Sequence, residues 1–384
     1  MKIGILTYTR EYANLGTNMQ CYCTLKAVQE ACPNAQVELA DYASAAPARR
    51  PYLSDMSLQS VKNDCIRIRK YDRFFRQELK FSGEAVTTNR VGRALDFLQR
   101  QRYDAVYVGS DTVLEMKGAE ADEITPYWLD GRIPGTKVLA AASSHNVTAE
   151  GLSARQRYLI ERAIDGFSLL GVRDDATFRL LAHFTGPADS RLRMIPDPTF
   201  TYEIDYRHIE RYLERKNLRF SAPVVCLHLL RNTAWAPKLA ELFRKAGYVV
   251  ASLRPARYAD LIFTDLSPFE QLGLYKYFTL VITHRFHDTI FCLKNLTPVL
   301  AFPEHASDVT AQGESKIATL LRGFGLNGAH YLPNDEELTA ENLFARHRAA
   351  IAEFGEKRAQ LQAALAEHRE RYRAFIRQSR TLLQ

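Results

Sequence analysis

Apolar runs of strand length alternate with amphipathic stretches along most of the chain. KIGILTY (2–8) reads as a buried strand, and a helical pattern runs from Gly16 to Ala31. VELADY (37–42) predicts a second strand, 43–56 an Ala- and Pro-rich loop, and 58–80 a long basic helix. AVYVGS (105–110), KVLAAAS (137–143) and FSLLGVR (167–173) follow as strands, and RMIPDPTF (193–200) closes this half. After the charged helix 207–218 the pattern restarts with APVVCLHLL (222–230), GYVVASL (247–253), a helix over 266–278, and TLVIT (279–283). HDTIFCLKN (287–295) then predicts a helix and TPVLAFP (297–303) a strand. Strand–helix alternation of this kind predicts parallel sheets, with ligands at the carboxyl ends of the strands.

The expected fold is therefore α/β, with two Rossmann-like domains facing a cleft. Residues 1–205 form the first, residues 206–345 the second, and residues 346–384 a long helix packing back on the N-terminal domain. In that helix Ile351, Phe354, Leu361, Leu365, Tyr372 and Phe375 keep near-heptad spacing.

The chain's net charge of +7 is uneven. Residues 346–384 hold nine Arg or Lys and four Glu, a net of +5, so most of the excess is this segment. It suits an anionic substrate or a peripheral contact with an acidic lipid surface. No aromatic-interleaved basic motif points to nucleic acid. The six cysteines lack metal-type pairing and read as reduced thiols of a cytoplasmic protein. The N-terminal apolar run reads as a first strand rather than a secretory signal, no stretch approaches the ~20 apolar residues that span a bilayer, and the sequons at Asn146 and Asn295 read as chance.

Chemistry gathers at the strand exits. ITHRFHDTIF (282–291) places His284, Arg285 and His287 where a strand ends and a helix begins. Helix N–H groups and a guanidinium fork favour a phosphate or carboxylate, and imidazole can move a proton near neutrality. The alternative is an Arg285 ion pair with a His287 helix cap. YVGSDTVLEM (107–116) offers Gly109 for a close turn, then Ser110 and Asp111 to bind a sugar hydroxyl, act as base, or cap a helix. Arg173 in LLGVRDDAT is either a second anion ligand opposite Arg285 or the partner of the aspartates beside it. Asp197, bracketed by prolines, reads mainly as a rigid turn. Asn14 and Gly16 occupy a strand–glycine–helix turn of the phosphate-binding type, and His228 and Arg231 end another strand.

Taken in order, NLGTNMQCYCTLKAV (14–28), YVGSDTVLEM (107–116), YWLDG (127–131), VLAAASS (138–144), LGVRDDAT (170–177), PDPTF (196–200), THRFHDTIFCLKNLTPVLAF (283–302) and ESKIATLLRGFGL (314–326) resemble the polysaccharide pyruvyl transferase family. The resemblance implies a glycosyltransferase-B-like pair of domains. It also implies transfer of the pyruvyl group of phosphoenolpyruvate to two hydroxyls of a sugar, forming a cyclic ketal. On it, Arg285 and His287 match the Arg-x-His site for phosphoenolpyruvate, Asp111 the Gly-Ser-Asp aspartate, and Arg173 the Val-Arg motif. His287 and Asp111 are then the catalytic candidates. Arg285, Arg173, Ser110, Gly109, Asn14, Gly16, His284 and Asp197 are the substrate-binding ones. The acceptor would be a sugar nucleotide, or a lipid-linked or polymeric glycan. No cofactor or metal is expected, with phosphoenolpyruvate as donor substrate. The competing expectations are a sugar-nucleotide-dependent glycosyltransferase and a non-catalytic scaffold bound through its basic tail.

Overall fold

Two fully parallel sheets organise the chain in the computed structural model, which describes residues 1–12, 14–44, 57–116, 122–144, 147–229, 234–303, 315–326, 328–333 and 338–383. The 43–56 loop, the Asn146 sequon and Arg231 lie wholly or mostly outside the described residues.

The first sheet contains β1 (Lys2–Leu6), β2 (Gln36–Ala43), β3 (Phe81–Thr87), β4 (Ala105–Val108), β5 (Thr136–Ala142), β6 (Leu169–Val172) and β7 (Leu192–Met194). Their order is β3-β2-β1-β4-β5-β6-β7. The connecting helices are α1 (Leu15–Ala31), α2 (Leu58–Glu78), α3 (Val91–Gln101), α4 (Ala154–Asp165) and α5 (Asp175–Thr185). Every residue of β4 and β6 is buried, as strands covered on both faces require. Asn14, Ser153 and Asp174 cap α1, α4 and α5 through side-chain oxygens. β3 and α3 are elements the apolar pattern does not announce. β3 exposes Gly83, Glu84 and Ala85 at the sheet edge, and α3 starts at Arg90 without a side-chain cap.

The second sheet contains β8 (Val224–His228), β9 (Val249–Ser252), β10 (Leu261–Ile262), β11 (Leu280–Thr283) and β12 (Val299–Ala301), in the order β10-β9-β8-β11-β12. Around it run α6 (Arg207–Arg215), α7 (Ala236–Lys245), α8 (Pro268–Leu274), α9 (Phe286–Asn295), α10 (Lys316–Gly323), α11 (Ala340–Glu356) and α12 (Arg358–Arg380). A capping box between Ser267 and Glu270 starts α8, with Pro268 in its first turn. The C-terminal pattern, continuous in sequence, splits at Lys357 just after Gly355, a poor helix former.

The chain divides into two compact units: residues 1–50, 73–202 and 368–384 form one, and residues 51–72 and 203–367 the other. Each returns to a parallel sheet whose first strand, β1 or β8, has neighbours on both sides. In the first unit the end of α12 lies on α1: the Tyr372 hydroxyl donates to Thr24 Oγ1 at 3.3 Å, and Tyr107 and Ser379 share a 2.7 Å hydrogen bond. Gly171 makes room for Phe375, since a Cβ there would lie 2.6 Å from its ring. This covering explains why α1 is buried nearly all round. Tyr372, Phe375 and Ile376 are all buried. Ending the chain at Glu367 removes them, at ~1.5–3 kcal/mol of burial each. That sum rivals the whole stability of an ordinary domain. The truncated protein is expected to lose its cooperative thermal transition in part, with early proteolysis in the first unit; an unchanged melting profile contradicts this packing.

Candidate functional site

In an open parallel sheet, the loops from two adjacent strands part where the strand order reverses, leaving a crevice at their carboxyl ends. The reversal lies between β1 and β4 in the first unit and between β8 and β11 in the second. The candidate residues fall at these two points.

In the first unit β1 leads to the start of α1, and β4 leads to Gly109, Ser110 and Asp111. Asn14 caps α1, accepting from the Thr17 N–H at 3.3 Å, and Gly16 is buried in its first turn. Gly109 has φ +113°, and a Cβ there would stand 2.6 Å from the Ala140 carbonyl oxygen, so this exit needs glycine. Ser110 is fully buried, and its carbonyl accepts from Thr7 Oγ1 at 2.9 Å. Asp111 follows with φ +82°, an uncommon conformation for a non-glycine residue. Its Oδ2 accepts from Thr17 Oγ1 at 2.7 Å, and its Oδ1 from the Thr112 N–H at 2.8 Å. Arg173 adds a longer contact to Oδ1 at 3.4 Å.

Arg173 is itself buried, at 3% side-chain exposure. Its Nη1 donates to Asp197 Oδ2 and to Gln20 Oε1, both at 2.7 Å. Asp197 Oδ1 accepts from the Thr199 N–H and hydroxyl at 2.9 and 2.6 Å, fixing it at the head of a short turn. Asp174 instead caps α5 and accepts from Ser143 Oγ at 2.6 Å. The guanidinium expected to meet either a ligand or its neighbouring aspartates is thus directed at Asp197 and Asp111. Thr17 and Gln20 join the cluster without having been singled out by sequence. Their one-turn spacing on α1 was the available signal.

In the second unit β11 delivers His284, Arg285, His287 and Asp288. His284 is buried with its ring edge-on to Phe302, centroids 5.6 Å apart. Arg285 is the partly exposed N-cap residue of α9. Its N–H donates to Thr283 Oγ1 at 3.1 Å, and its side chain makes no cap bond. His287, in the first turn of α9 and partly exposed, lies tilted over Phe291 with centroids 6.1 Å apart. The helix N-terminus and the guanidinium both favour an anion here.

Beneath them lies a buried network that the sequence motif hides. His228 Nδ1, from the end of β8, stands 2.6 Å from Asp288 Oδ2. Asp288 also accepts from the Tyr275 hydroxyl at 2.8 Å and from Thr283 Oγ1 at 2.9 Å. Burial alone would raise the Asp288 carboxyl. His228 beside it, then Arg285 and the Tyr275 hydroxyl, outweigh that and hold it well below the usual carboxylate range. Burial and Asp288 push the Tyr275 phenol far up, keeping it a donor. Asp288 falls inside the quoted motif, and His228 ends the previous strand in the sheet. Only β8–β11 pairing, with Thr283 beside His228, brings them together.

Residues 14–305 match the family described as polysaccharide pyruvyl transferase. Comparison with curated proteins finds no match. Among solved structures, the chain resembles a protein assigned as a UDP-N-acetylglucosamine 2-epimerase from Listeria monocytogenes, at 12% identity over 94% of this chain and 90% of that one, with a TM-score of 0.54. It also resembles the UDP-GlcNAc 2-epimerase of Methanocaldococcus jannaschii, at 11% identity, 91% and 93% coverage, and a TM-score of 0.53. The enzyme of Neisseria meningitidis bound to UDP-GlcNAc aligns at 9% identity, with 94% of each chain covered and a TM-score of 0.52. At such identities the likeness establishes the fold alone: α/β, with two Rossmann-like parallel sheets of the glycosyltransferase-B-like type.

Two expectations follow from the buried charges. Arg173→Ala leaves Asp197 and Asp111 without their cation, at a cost of ~3–5 kcal/mol. Urea unfolding should show it, with Arg173→Lys recovering only part because one ammonium cannot reproduce the fork. Asp288 has a folded-state pKa below its unfolded value. Its contribution is therefore present above about pH 4 and lost as pH falls further. Asp288→Asn is expected to cost about 3 kcal/mol at pH 7, with the gap to the parent narrowing below about pH 4. A gap constant across that range contradicts the linkage.

Proposed function

The chain belongs to the polysaccharide pyruvyl transferase family, and we propose that it transfers the pyruvyl group of phosphoenolpyruvate to two hydroxyls of a glycan as a cyclic ketal. The observation that carries this reading is that Arg285, at the N-cap of α9, and His287, in its first turn, are both partly exposed at the carboxyl end of β11. Phosphoenolpyruvate brings a phosphate and a carboxylate. The Arg285 fork and the α9 N-terminus suit such a dianion.

In the proposed sequence His287 donates a proton to the methylene carbon, and C2 becomes oxocarbenium-like. A sugar hydroxyl attacks C2 and gives up its proton. The C2–O bond to phosphate breaks, phosphate leaves, and a second hydroxyl closes the ketal with loss of its own proton. Asp111, at the carboxyl end of β4, suits a sugar hydroxyl as orienting group or base. Arg173, Gln20 and Thr17 hold that carboxylate in place, so Arg173 serves as a positioning residue. We assign no cofactor to these steps, with phosphoenolpyruvate as donor substrate.

The acceptor is a sugar nucleotide or a lipid-linked or polymeric glycan, and we assign the reaction to the cytoplasm. No described helix is long and apolar enough to cross a membrane. Because Tyr372, Phe375 and Ile376 are buried, the end of α12 has no apolar face to insert. Contact with an acidic lipid surface would be electrostatic, through exposed Arg371, Arg377 and Arg380.

The test is phosphate release from phosphoenolpyruvate with a panel of nucleotide-linked, lipid-linked and free sugars, alongside calorimetric binding of phosphoenolpyruvate. His287→Ala should lower kcat by at least ~100-fold while leaving affinity for phosphoenolpyruvate within a few-fold. Arg285→Ala should weaken that affinity by about 10- to 100-fold, one charge-assisted hydrogen bond. Absence of phosphoenolpyruvate binding, or stabilisation by a nucleotide sugar donor in its place, rejects the reading.

A further inference from the structure

A cavity of about 1260 Å³ lies beside β10 and the segments that follow β8 and β9, and its described lining residues all belong to the second unit. Its lining includes the apolar or aromatic Leu218, Pro237, Pro255, Tyr258 and Phe263, together with amides and hydroxyls from the start of α2 and the exit of β10: Gln59, Ser60, Asn63 and Thr264. Gln59 Nε2 donates to Asn63 Oδ1 at 2.9 Å, and Asn63 Nδ2 donates to Thr264 Oγ1 at 3.1 Å, which ties the two segments together. Several of the charged groups that line it are matched internally: Lys216 with Asp265 at 2.6 Å, and Asp260 with Arg244 at 2.9 Å. Ser57 Oγ accepts the Ser60 N–H at 3.3 Å and so occupies one of the donors at the α2 terminus. Arg257 stands exposed at the rim.

A phosphate-bearing ligand calls for clustered cations or open N–H groups. This cavity combines apolar and aromatic lining groups with neutral donors and acceptors. That combination fits the face and edge of a sugar ring. The cavity also lies on the same sheet edge as Arg285 and His287. β9 is two strands from β11, a lateral separation of ~10 Å, within the span of a short oligosaccharide. Two large apolar side chains close by, Leu58 and Ile262, are 92% and 44% exposed.

We propose that this cavity is a subsite for a neutral sugar residue of the acceptor glycan, remote from the one that is pyruvylated; the word acceptor here rests on the function proposed above. The ligand class is an oligosaccharide, and the recognising groups are Asn63, Gln59 and Thr264 against Tyr258 and Pro255.

The experiment is a glycan array printed with mono- to hexasaccharides of glucose, galactose, mannose and N-acetylglucosamine, probed with the full chain and three variants. Ala256→Trp and Ala234→Trp fill the cavity from different sides, and Asn63→Leu removes the central amide. Urea midpoints identify any variant that has lost its fold. The parent is expected to retain oligosaccharides of three or more residues and no monosaccharide. Each folded variant should weaken retention at least tenfold. The proposal is overturned if no oligosaccharide is retained, if the folded variants bind as the parent does, or if UDP or inorganic phosphate displaces bound sugar through this cavity. Retention lost in the cavity variants, with no phosphoenolpyruvate binding to the parent, upholds the sugar subsite and rejects only the pyruvyl transfer.

Discussion

A parallel sheet that grows outward in both directions from its first strand leaves one place where neighbouring loops turn apart. That constraint organises both units. At β1/β4 it collects Asp111, Thr17 and Gln20, and at β8/β11 it collects Arg285, His287, His228 and Asp288. The central strands are mostly apolar along their length. Their carboxyl ends are where the chain sheds polar residues, since the backbone must leave the sheet there and reach water or a partner. The glycine at 109 belongs to the same constraint, because β5 runs so close that a Cβ would strike the Ala140 carbonyl.

Each crevice rests on a buried charge held by several donors or acceptors. In the first unit a cation, Arg173, is shared among Asp197, Asp111 and Gln20. In the second an anion, Asp288, is shared among His228, Tyr275 and Thr283. A buried charge is tolerated only when its partners are in place, so each network favours one arrangement of the loops that carry it. Asp111 is directly part of the first network. Arg285 and His287 sit on the helix turn that contains Asp288, so the second network positions their backbone and leaves their side chains partly exposed.

Much of this was legible in the chain. Uncharged runs such as LVIT and AVYV are strands because only a strand buried on both faces is apolar throughout. Arg285 and His287 are conspicuous because polar residues of these types follow such a run at once. Gly109-Ser110-Asp111 is conspicuous for the same reason. Elements without that contrast were not legible: β3 alternates too weakly at the sheet edge, and β10 is only two residues long. The tail's heptad-like spacing continues across Lys357, where the helix itself does not.

The sequence by itself determined the alternation of strands and helices, the ends at which chemistry gathers, and membership of the family. Those depend on hydrophobic periodicity and short motifs, which are local. Tertiary structure alone decided the partners. Arg173 turned from the adjacent Asp174 to Asp197 and Asp111, Asp288 met His228 from another strand, and α1 was covered by Tyr372 from the far end of the chain. Such pairings depend on which strands lie side by side and which helices cross over them. Strand order is set by the global packing of two sheets, and no local pattern encodes it.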